Sequence, residues 1–261
     1  MTMNKALQVE IQQGIATVRM NRPDVHNAFD DALIGALTAE LRRLDAAQEV
    51  RVIVLAANGN SFCAGADLKW MQRMATYSRE ENLRDAVALA DLMRTLDGVK
   101  KPTIARVQGA AFGGGVGLVA CCDIAIASTE AAFSLSEVRL GLIPSVISPY
   151  VIAAIGEREA RRYFLTAERF DAVEARRIGL VHDVVDSGAL DEAVATIAGH
   201  LLKGGPQALA AAKKLIADVS RRAMDDALSA ETARRIAAIR VEREGQEGLA
   251  AFLEKRPPAW K

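Results

Sequence analysis

Apolar and polar residues alternate at the start of the chain, which is the spacing of half-buried strands. The alternating apolar positions form two groups on either side of Gln13-Gly14: Leu7, Val9 and Ile11, then Ile15, Val18 and Met20. Two such runs joined by a short turn containing glycine are typical of a hairpin. The pattern therefore predicts a β-hairpin that enters a larger sheet.

Further along the chain, short buried strands alternate with helical patterns. Strands are predicted at residues 52–55, 103–107 and 124–127, and helices at 33–44, 68–74 and 82–96. Such an alternation favours an α/β fold with parallel strand pairing.

From about Pro206 the strand signals stop. Amphipathic helices are predicted at residues 209–219 and 224–241, and their apolar faces need a partner surface on the core or on another subunit. Glycine and proline residues near positions 198–206 indicate a break between two regions. We therefore predict a core over residues 1–200 and a helical region over 201–261.

Composition narrows the class of protein. The chain of 261 residues carries 33 basic and 33 acidic side chains, a balance that gives no support for nucleic-acid binding. Hydrophobic residues make up 51%, which excludes a disordered chain. The longest uncharged run, residues 140–156, contains two prolines and is shorter than the roughly 20 apolar residues of a membrane span. We expect a soluble protein without membrane contact.

Cysteine is rare in this chain. Cys63, Cys121 and Cys122 are too few for a disulfide framework, and no spacing typical of zinc ligands occurs. Buried thiols in a reducing compartment are the favoured interpretation, so we expect a cytoplasmic protein without a metal site.

Two glycine-rich segments, residues 61–68 and 108–115, each follow a predicted strand and precede a predicted helix. Asp67 stands where an N-cap residue accepts backbone N–H groups. Glycines at such junctions allow close backbone approach and leave free N–H groups at the helix start, although each segment alone also fits a packing or turn role. Two N–H groups that converge on one carbonyl oxygen stabilise an oxyanion or enolate.

Several motifs in a fixed order carry a resemblance to a known family. They are Asn21-Arg22-Pro23 with Asn27-Ala28, the glycine-rich segments 62–68 and 108–115, Cys122-Asp123-Ile124, residues 133–144, Gly179-Leu180-Val181 and residues 252–257. With these motifs the chain resembles the crotonase (enoyl-CoA hydratase/isomerase) superfamily over nearly its whole length. Residues 136–144 and 146–149 most resemble the methylglutaconyl-CoA hydratase branch of leucine degradation.

The resemblance implies a fold and a chemistry. The expected fold is a spiral of repeated β-β-α units with a C-terminal helical trimerisation region, and the expected assembly is a homotrimer or a dimer of trimers. The expected partner is an acyl-CoA thioester, and no cofactor is implied because coenzyme A is part of the substrate. Ala66 and Gly114 would supply the two N–H groups that bind the thioester carbonyl oxygen.

The resemblance also implies a binding site for substrate and coenzyme A. Its candidate residues are Val25, Ala28, Ala64, Ala66, Asp67, Leu68, Lys69, Gly114, Gly117, Phe252 and Lys255. Phe252 and Lys255 lie in the tail that approaches the coenzyme A of a neighbouring subunit in the family. A solvated surface charge is the alternative interpretation of Lys255.

Glu137 is the candidate acid/base residue, because it matches the second of two glutamates that hydratases of the family use. Its apolar neighbours Leu135 and Val138 disfavour the ionised carboxylate and favour a proton donor. The alternative is a surface glutamate paired with Arg139 or Arg162.

Gly117 stands where the family carries the first glutamate. Glycine inside an apolar helix costs about 1 kcal/mol relative to alanine, which indicates that the space beside it is used. We hypothesise that Gly117 makes room for a branched or carboxylated acyl chain, with Glu137 handling both proton transfers or sharing them with a water.

Other conspicuous residues fit structural roles. His26 is typical of a hydrogen-bonded surface residue, and Trp70, Met71 and Met74 have the spacing of core residues on a helix that can border an acyl pocket. The leading interpretation is an enoyl-CoA hydratase, a lyase. The alternatives are a double-bond isomerase that uses the single glutamate and a non-catalytic acyl-CoA-binding protein.

Overall fold

The computed structural model describes residues 6–260 and contains a large and a small β-sheet. The large sheet has the strand order β1-β2-β3-β5-β7-β10, and only the hairpin β1/β2 is antiparallel. Its strands are β1 (Leu7–Gln12), β2 (Ile15–Met20), β3 (Val52–Ala57), β5 (Thr103–Val107), β7 (Ile124–Ser128) and β10 (Asp183–Val185). The predicted hairpin is confirmed, with Leu7 opposite Met20.

The small sheet has the order β4-β6-β8-β9, in which the last pair alone is antiparallel. Its strands are β4 (Ser61–Cys63), β6 (Ala110–Phe112), β8 (Ala132–Ser134) and β9 (Phe170–Asp171). The sequence pattern did not predict this sheet, because strands of two or three residues are too short to show an alternation.

Helices connect and cover the strands. They are α1 (Asp31–Ala46), α2 (Leu68–Met74), α3 (Arg79–Gly98), α4 (Gly114–Cys121), α5 (Ser148–Thr166), α6 (Ala172–Arg177), α7 (Leu190–Leu202), α8 (Pro206–Val219), α9 (Asp226–Val241) and α10 (Arg243–Leu253). In α5 the chain departs from helical geometry at Gly156, where φ is 75°.

Three successive β-β-α units wind through the core: β3-β4-α2, β5-β6-α4 and β7-β8-α5. In each unit the first strand joins the large sheet and the second joins the small sheet. This arrangement confirms the predicted α/β spiral, and α8–α10 confirm the predicted C-terminal helices. The division at residue 200 stays a prediction; it falls in the last turn of α7, and the outer limits of both regions, residues 1–5 and Lys261, lie outside the described residues.

Strand β3 shows why its sequence is apolar throughout. Ile53 and Leu55 join the main core cluster, whereas Val52 and Val54 pack with Val194 of α7 on the opposite face. A parallel strand that is covered on both faces has a continuous run of hydrophobic residues in its sequence. The centre of the large sheet is thereby buried on both faces, whereas its edge strand β1 is mostly exposed.

The predicted start of the second C-terminal helix is wrong. Helix α9 begins at Asp226 under an Asp225 cap, and Met224 lies before it, 97% exposed. On α8, Ile216 is 66% exposed within this chain, and a partner surface on another subunit stays a prediction.

The three cysteines are buried free thiols, as predicted. Burial raises the pKa of Cys63 to about 12. Within residues 6–260, no helix has the length and apolar character that crossing a membrane requires.

Candidate active site

Three loops leave the small sheet at the same edge. Strands β4, β6 and β8 are parallel neighbours, with Cys63 aligned with Ala111, so their carboxyl ends lie side by side. The loops that follow carry Ala66, Gly114 and Glu137, respectively. The fold thus brings together the three predicted catalytic positions, which are separated by 48 and 23 residues in the sequence.

The first loop pairs with the segment around Phe29. The Phe29 amide donates to the Gly65 carbonyl over 2.7 Å, and the Asp67 amide donates to the Phe29 carbonyl over 2.8 Å. Because neighbouring amides in an extended segment point to opposite sides, the Ala66 amide faces away from this pairing. It donates to no acceptor among residues 6–260.

The second loop turns at Gly113, whose φ of 50° lies in the left-handed region and whose amide donates to the Ser134 carbonyl over 2.9 Å. Gly114 is the first residue of α4, and the first amides of a helix lack acceptors within it. Within the described part of the chain the Gly114 amide has no acceptor. The positive end of the α4 dipole adds to its capacity to bind an anion.

Packing explains the glycine triplet. A Cβ atom on Gly114 would lie 2.7 Å from Cε2 of Phe29, and one on Gly115 would lie 2.5 Å from the Cys63 carbonyl oxygen. A Cβ on Gly113 would lie 3.1 Å from Oε1 of Glu137. The three loops therefore approach one another so closely that side chains are excluded at their centre.

Glu137 opens a short 3-10 helix, Glu137–Leu140. Its Oε2 atom is buried and has no hydrogen-bond partner among residues 6–260, where Glu137 also forms no ion pair. Arg162 pairs with Glu168 at 2.7 Å instead, so the alternative of a surface pair with Arg162 or Arg139 is wrong. Burial raises the pKa of the Glu137 carboxyl, and its own backbone N–H opposes this rise in part. Burial therefore makes this carboxyl a weaker acid than an exposed glutamate, which is the direction that suits a proton donor.

A cavity of about 560 Å³ lies against all three loops. Its lining is mainly apolar and includes Phe29, Ala64, Ala66, Leu68, Trp70, Met71, Met74, Phe112, Gly114, Leu142, Ile143, Val146 and Ile147. The titratable side chains of this lining are Glu137 and Asp85. Elsewhere between residues 6 and 260, no three His, Cys, Asp or Glu side chains group as metal ligands would.

Asp67 is the N-cap of α2, as its position predicted. Its Oδ1 accepts the amides of Lys69 at 2.8 Å and Trp70 at 3.3 Å, and its Oδ2 pairs with Arg22 at 2.9 Å. Although burial alone raises the pKa of Asp67, the two amides and Arg22 outweigh it and hold the pKa below its ordinary value. Both oxygens are engaged, and the side chain is absent from the cavity lining. Asp67 therefore positions α2 and the Ala66 loop, and the sequence-based expectation that it contacts substrate is corrected.

The hypothesis that Gly117 opens space for the acyl chain is also wrong. A Cβ atom on Gly117 would lie 2.2 Å from Cγ2 of Ile147 and 3.3 Å from Cε of Met93. The space beside the glycine is therefore filled by Ile147, which itself lines the cavity. Gly117 makes room for a cavity-lining side chain of the protein, not for substrate.

The other candidates for substrate binding divide into two groups. Ala64 and Leu68 line the cavity, whereas Val25, Ala28 and Lys69 lie outside it, with Val25 and Lys69 exposed.

Phe252 and Lys255 lie at the end of α10, exposed and away from the cavity lining of the same chain. His26 has the structural role expected, because its Nδ1 lies 3.1 Å from Oγ of Ser61. Trp70, 4% exposed, is a core residue that also borders the cavity.

Asp85 was not among the residues that the sequence motifs predicted. Its Oδ2 accepts the indole N–H of Trp70 over 3.0 Å. Asn82, Asp85, Ala86 and Leu89 line the cavity together, and their spacing of three, four and seven residues is that of one helix face. That spacing could have indicated that Asp85 shares a face with apolar residues. A carboxylate on a helix with many charged residues, however, usually lies on the solvent-exposed face.

The fold and the three converging loops define a crotonase-type protein, and comparison with known proteins agrees. The sequence model of the enoyl-CoA hydratase/isomerase family matches residues 10–261, so the chain belongs to this family.

Individual relatives match most of the chain. The 2,3-dehydroadipyl-CoA hydratase of Escherichia coli K12 is 32% identical over 256 residues, which cover 98% of each chain. The hydroxycinnamoyl-CoA hydratase-lyase of Pseudomonas fluorescens is 34% identical over 218 residues, 80% of this chain and 77% of the relative. The crystal structure of an enoyl-CoA hydratase from Shewanella pealeana superposes with a TM-score of 0.95 at 48% identity and covers 98% of this chain and 96% of that one.

Proposed function

We propose that this protein is an enoyl-CoA hydratase, a lyase that adds water across the double bond of a 2-enoyl-CoA thioester. One observation carries the proposal: two amides without acceptors and one carboxyl, whose buried Oε2 atom has no hydrogen-bond partner among the described residues, line the same apolar cavity. Hydrogen-bond donors and a proton donor are the groups that enolate chemistry requires. The hydratases among the relatives support this choice within the family.

In the proposed reaction, the thioester carbonyl oxygen accepts hydrogen bonds from the amides of Ala66 and Gly114. As an oxygen nucleophile bonds to the β-carbon, the electrons of the double bond move toward this oxygen and form an enolate. Each donor of such a pair contributes about 3 kcal/mol to transition-state stabilisation. Glu137 then gives its proton to the α-carbon, and its raised pKa supports this acid role.

For the acyl group we propose a branched 2-enoyl chain such as that of 3-methylglutaconyl-CoA, which would place the enzyme in leucine degradation. The segment with this narrower resemblance, residues 136–149, supplies one side of the cavity through Leu142, Ile143, Pro144 and Val146. The segment that carries the narrower resemblance thus borders the cavity in which we propose that the acyl chain binds.

A double-bond isomerase is the second candidate. The absence of a carboxylate at Gly117 favours it, because one carboxylate suffices to move a proton between two carbons. A protein that only binds acyl-CoA would retain the cavity without turnover.

The candidates are separated by the ultraviolet absorbance of the conjugated thioester. With a panel of straight, branched and carboxylated 2-enoyl-CoA thioesters, we expect the protein to remove this absorbance by hydration, fastest for the branched substrate. Glu137→Gln should lower kcat by about 100-fold to 10,000-fold, because the acid is lost. The control Glu130→Gln, at an exposed glutamate outside the cavity, should retain activity.

Other results would favour the alternatives. Formation of the absorbance from 3-enoyl-CoA thioesters, without hydration of any 2-enoyl-CoA, would identify an isomerase. Binding without turnover of either class would identify a binding protein.

We further propose a homotrimer or a dimer of trimers in the cytoplasm. Exposed apolar side chains of the C-terminal helices support an assembly: Ile216 is 66%, Phe252 80% and Leu253 77% exposed. Three buried free thiols support a reducing compartment. Light scattering after size-exclusion chromatography tests the assembly, and a monomeric mass would contradict it.

A further inference from the structure

Hydration needs two kinds of proton transfer at neighbouring carbons. The α-carbon receives a proton, and the water that attacks the β-carbon loses one. In this chain Glu137 provides one carboxyl group, whereas Gly117 provides none and its surroundings are filled by Ile147. If Glu137 donates the proton to the α-carbon, a separate acceptor for the water proton would come from another part of the cavity.

The described cavity lining contains one other titratable group, Asp85. Its remaining polar side chains belong to Asn82, Ser136 and Ser145, and amides or hydroxyls do not take up a proton at neutral pH. Asp85 belongs to α3, whereas Glu137 follows β8, so the two carboxyl groups come from different walls.

The carboxylate of Asp85 is held in place on one side. Its Oδ2 accepts the indole N–H of Trp70 over 3.0 Å, and no other hydrogen bond or ion pair of Asp85 occurs among residues 6–260. The side chain is half-buried, which leaves Oδ1 available to a small molecule in the cavity.

The anchor of Asp85 is itself connected to the predicted oxyanion loop. Trp70 is 4% exposed, and its backbone amide donates to Oδ1 of Asp67 over 3.3 Å. Asp67 directly follows Ala66 and pairs with Arg22 at 2.9 Å. A continuous set of contacts therefore fixes Asp85 relative to the amide that would bind the thioester.

We propose that Asp85 is a second catalytic residue, the base that binds and deprotonates the water attacking the β-carbon. The inference rests on the proposed hydratase function. A proton leaves the water for Asp85 while the water oxygen bonds to the β-carbon, and the π electrons form the enolate at the thioester. The enolate then takes the Glu137 proton at its α-carbon. One proton passes from Asp85 to Glu137 through solvent and restores both groups.

Asp85→Asn tests this role with little change in shape, because the amide oxygen still accepts the Trp70 N–H. We expect kcat for hydration to fall by about 100-fold or more, the effect of losing a general base. In deuterium oxide, exchange of the α-protons of butyryl-CoA requires Glu137 and the amides but no water at the β-carbon. This exchange should therefore stay within about twofold of the wild type.

Three further variants sharpen the test. Trp70→Phe removes the anchoring N–H but keeps an aromatic ring, and we expect a loss of hydration of about tenfold, smaller than that of Asp85→Asn. Asp91→Asn makes the same chemical change on α3 outside the cavity and should retain hydration. Glu137→Gln should lose hydration and exchange together.

Each other outcome counts against a specific statement. Hydration by Asp85→Asn at the wild-type rate, or an equal loss of hydration and exchange, would overturn the role of Asp85 as base. A wild-type protein that hydrates no 2-enoyl-CoA would instead refute the proposed function, and the role of Asp85 with it.

Discussion

Two walls of the cavity differ in how they are built. The strand-end wall consists of Ala64–Ala66, Phe112–Gly114 and Glu137, and it is packed so tightly that glycines are required. The outer wall consists of Leu68, Leu140, Leu142 and Ile143, and its side chains are between 55% and 75% exposed. The groups assigned to the proposed chemistry lie where the backbone is constrained, and the apolar surface proposed for the acyl chain lies where side chains are exposed.

The physical cause is the origin of the two walls. The strand-end wall continues directly from three hydrogen-bonded strands, so its atoms inherit the register of the small sheet. The outer wall consists of side chains that project from a helix and a loop. Because these side chains are already largely exposed to water, truncating them removes little buried surface. A change in the strand-end wall should therefore affect folding and chemistry, whereas a change in the outer wall should affect substrate choice alone.

The largest effect on stability is expected from Gly115→Ala, directly behind the strand-end wall. The new Cβ would lie 2.5 Å from the Cys63 carbonyl oxygen, so backbone has to move, and such overpacking costs about 1–3 kcal/mol in the free energy of unfolding. Chemical denaturation measures the change. Gly35→Ala in α1 is the matched control, because nothing lies within 4 Å of its Cβ position. The free energy of unfolding of the control should rise by about 0.4–1 kcal/mol. Equal effects of the two substitutions would contradict the tight packing behind the strand-end wall.

A smaller effect is expected from pH. The pKa of Glu137 is raised in the folded protein relative to the unfolded chain, because burial disfavours the charged form. The folded state therefore holds this proton more tightly. This proton therefore stabilises the folded state. The stabilisation is fully present below the pKa that Glu137 has in the unfolded chain, and it is lost as pH rises through the higher pKa of the folded protein.

This pH effect is isolated by comparing the wild type with Glu137→Gln. The difference between their free energies of unfolding, measured at a series of pH values, should shift toward a less stable wild type as pH rises. A difference that does not depend on pH would show that Glu137 is not buried as a neutral acid.

The smallest effect on stability is expected from Ile143→Ala in the outer wall. The side chain is 72% exposed, so the free energy of unfolding should change by less than about 0.5 kcal/mol. The ratio of kcat/KM for branched and straight 2-enoyl-CoA should nevertheless change by up to about tenfold, because one apolar contact is lost. Leu165→Ala, at a leucine that is 71% exposed and outside the cavity, should leave this ratio unchanged. If Ile143→Ala changed this ratio no more than Leu165→Ala does, the outer wall would have no role in substrate specificity.

Much of the fold follows from local sequence signals. Helix α2 and strand β5 begin and end where the pattern predicted, because Asp67 provides a cap and Pro102 precedes the strand. The small sheet was missed since β4 and β6 lie inside the glycine-rich segments and contain three residues each. Short strands depend on their neighbours in space, which a local pattern does not contain.

The candidate site shows the same limit. The motifs predicted the positions of Ala66, Gly114 and Glu137, and the structure brings these residues to one cavity. They did not predict that Ile147 fills the space beside Gly117, thirty residues away in the sequence. Asp85 was missed because its contact with Trp70 joins two helices whose relative placement is a tertiary property.

Arg22 lies between two helix starts and joins them. Its guanidinium pairs with Asp30 at 2.8 Å and with Asp67 at 2.9 Å, and these aspartates cap α1 and α2. Because one guanidinium pairs with both caps, a tilt of α2 away from the cavity would break an ion pair that also involves the cap of α1, a helix packed into the main core. The Ala66 side of the cavity is thereby tied through Arg22 to the helix that packs into the main core.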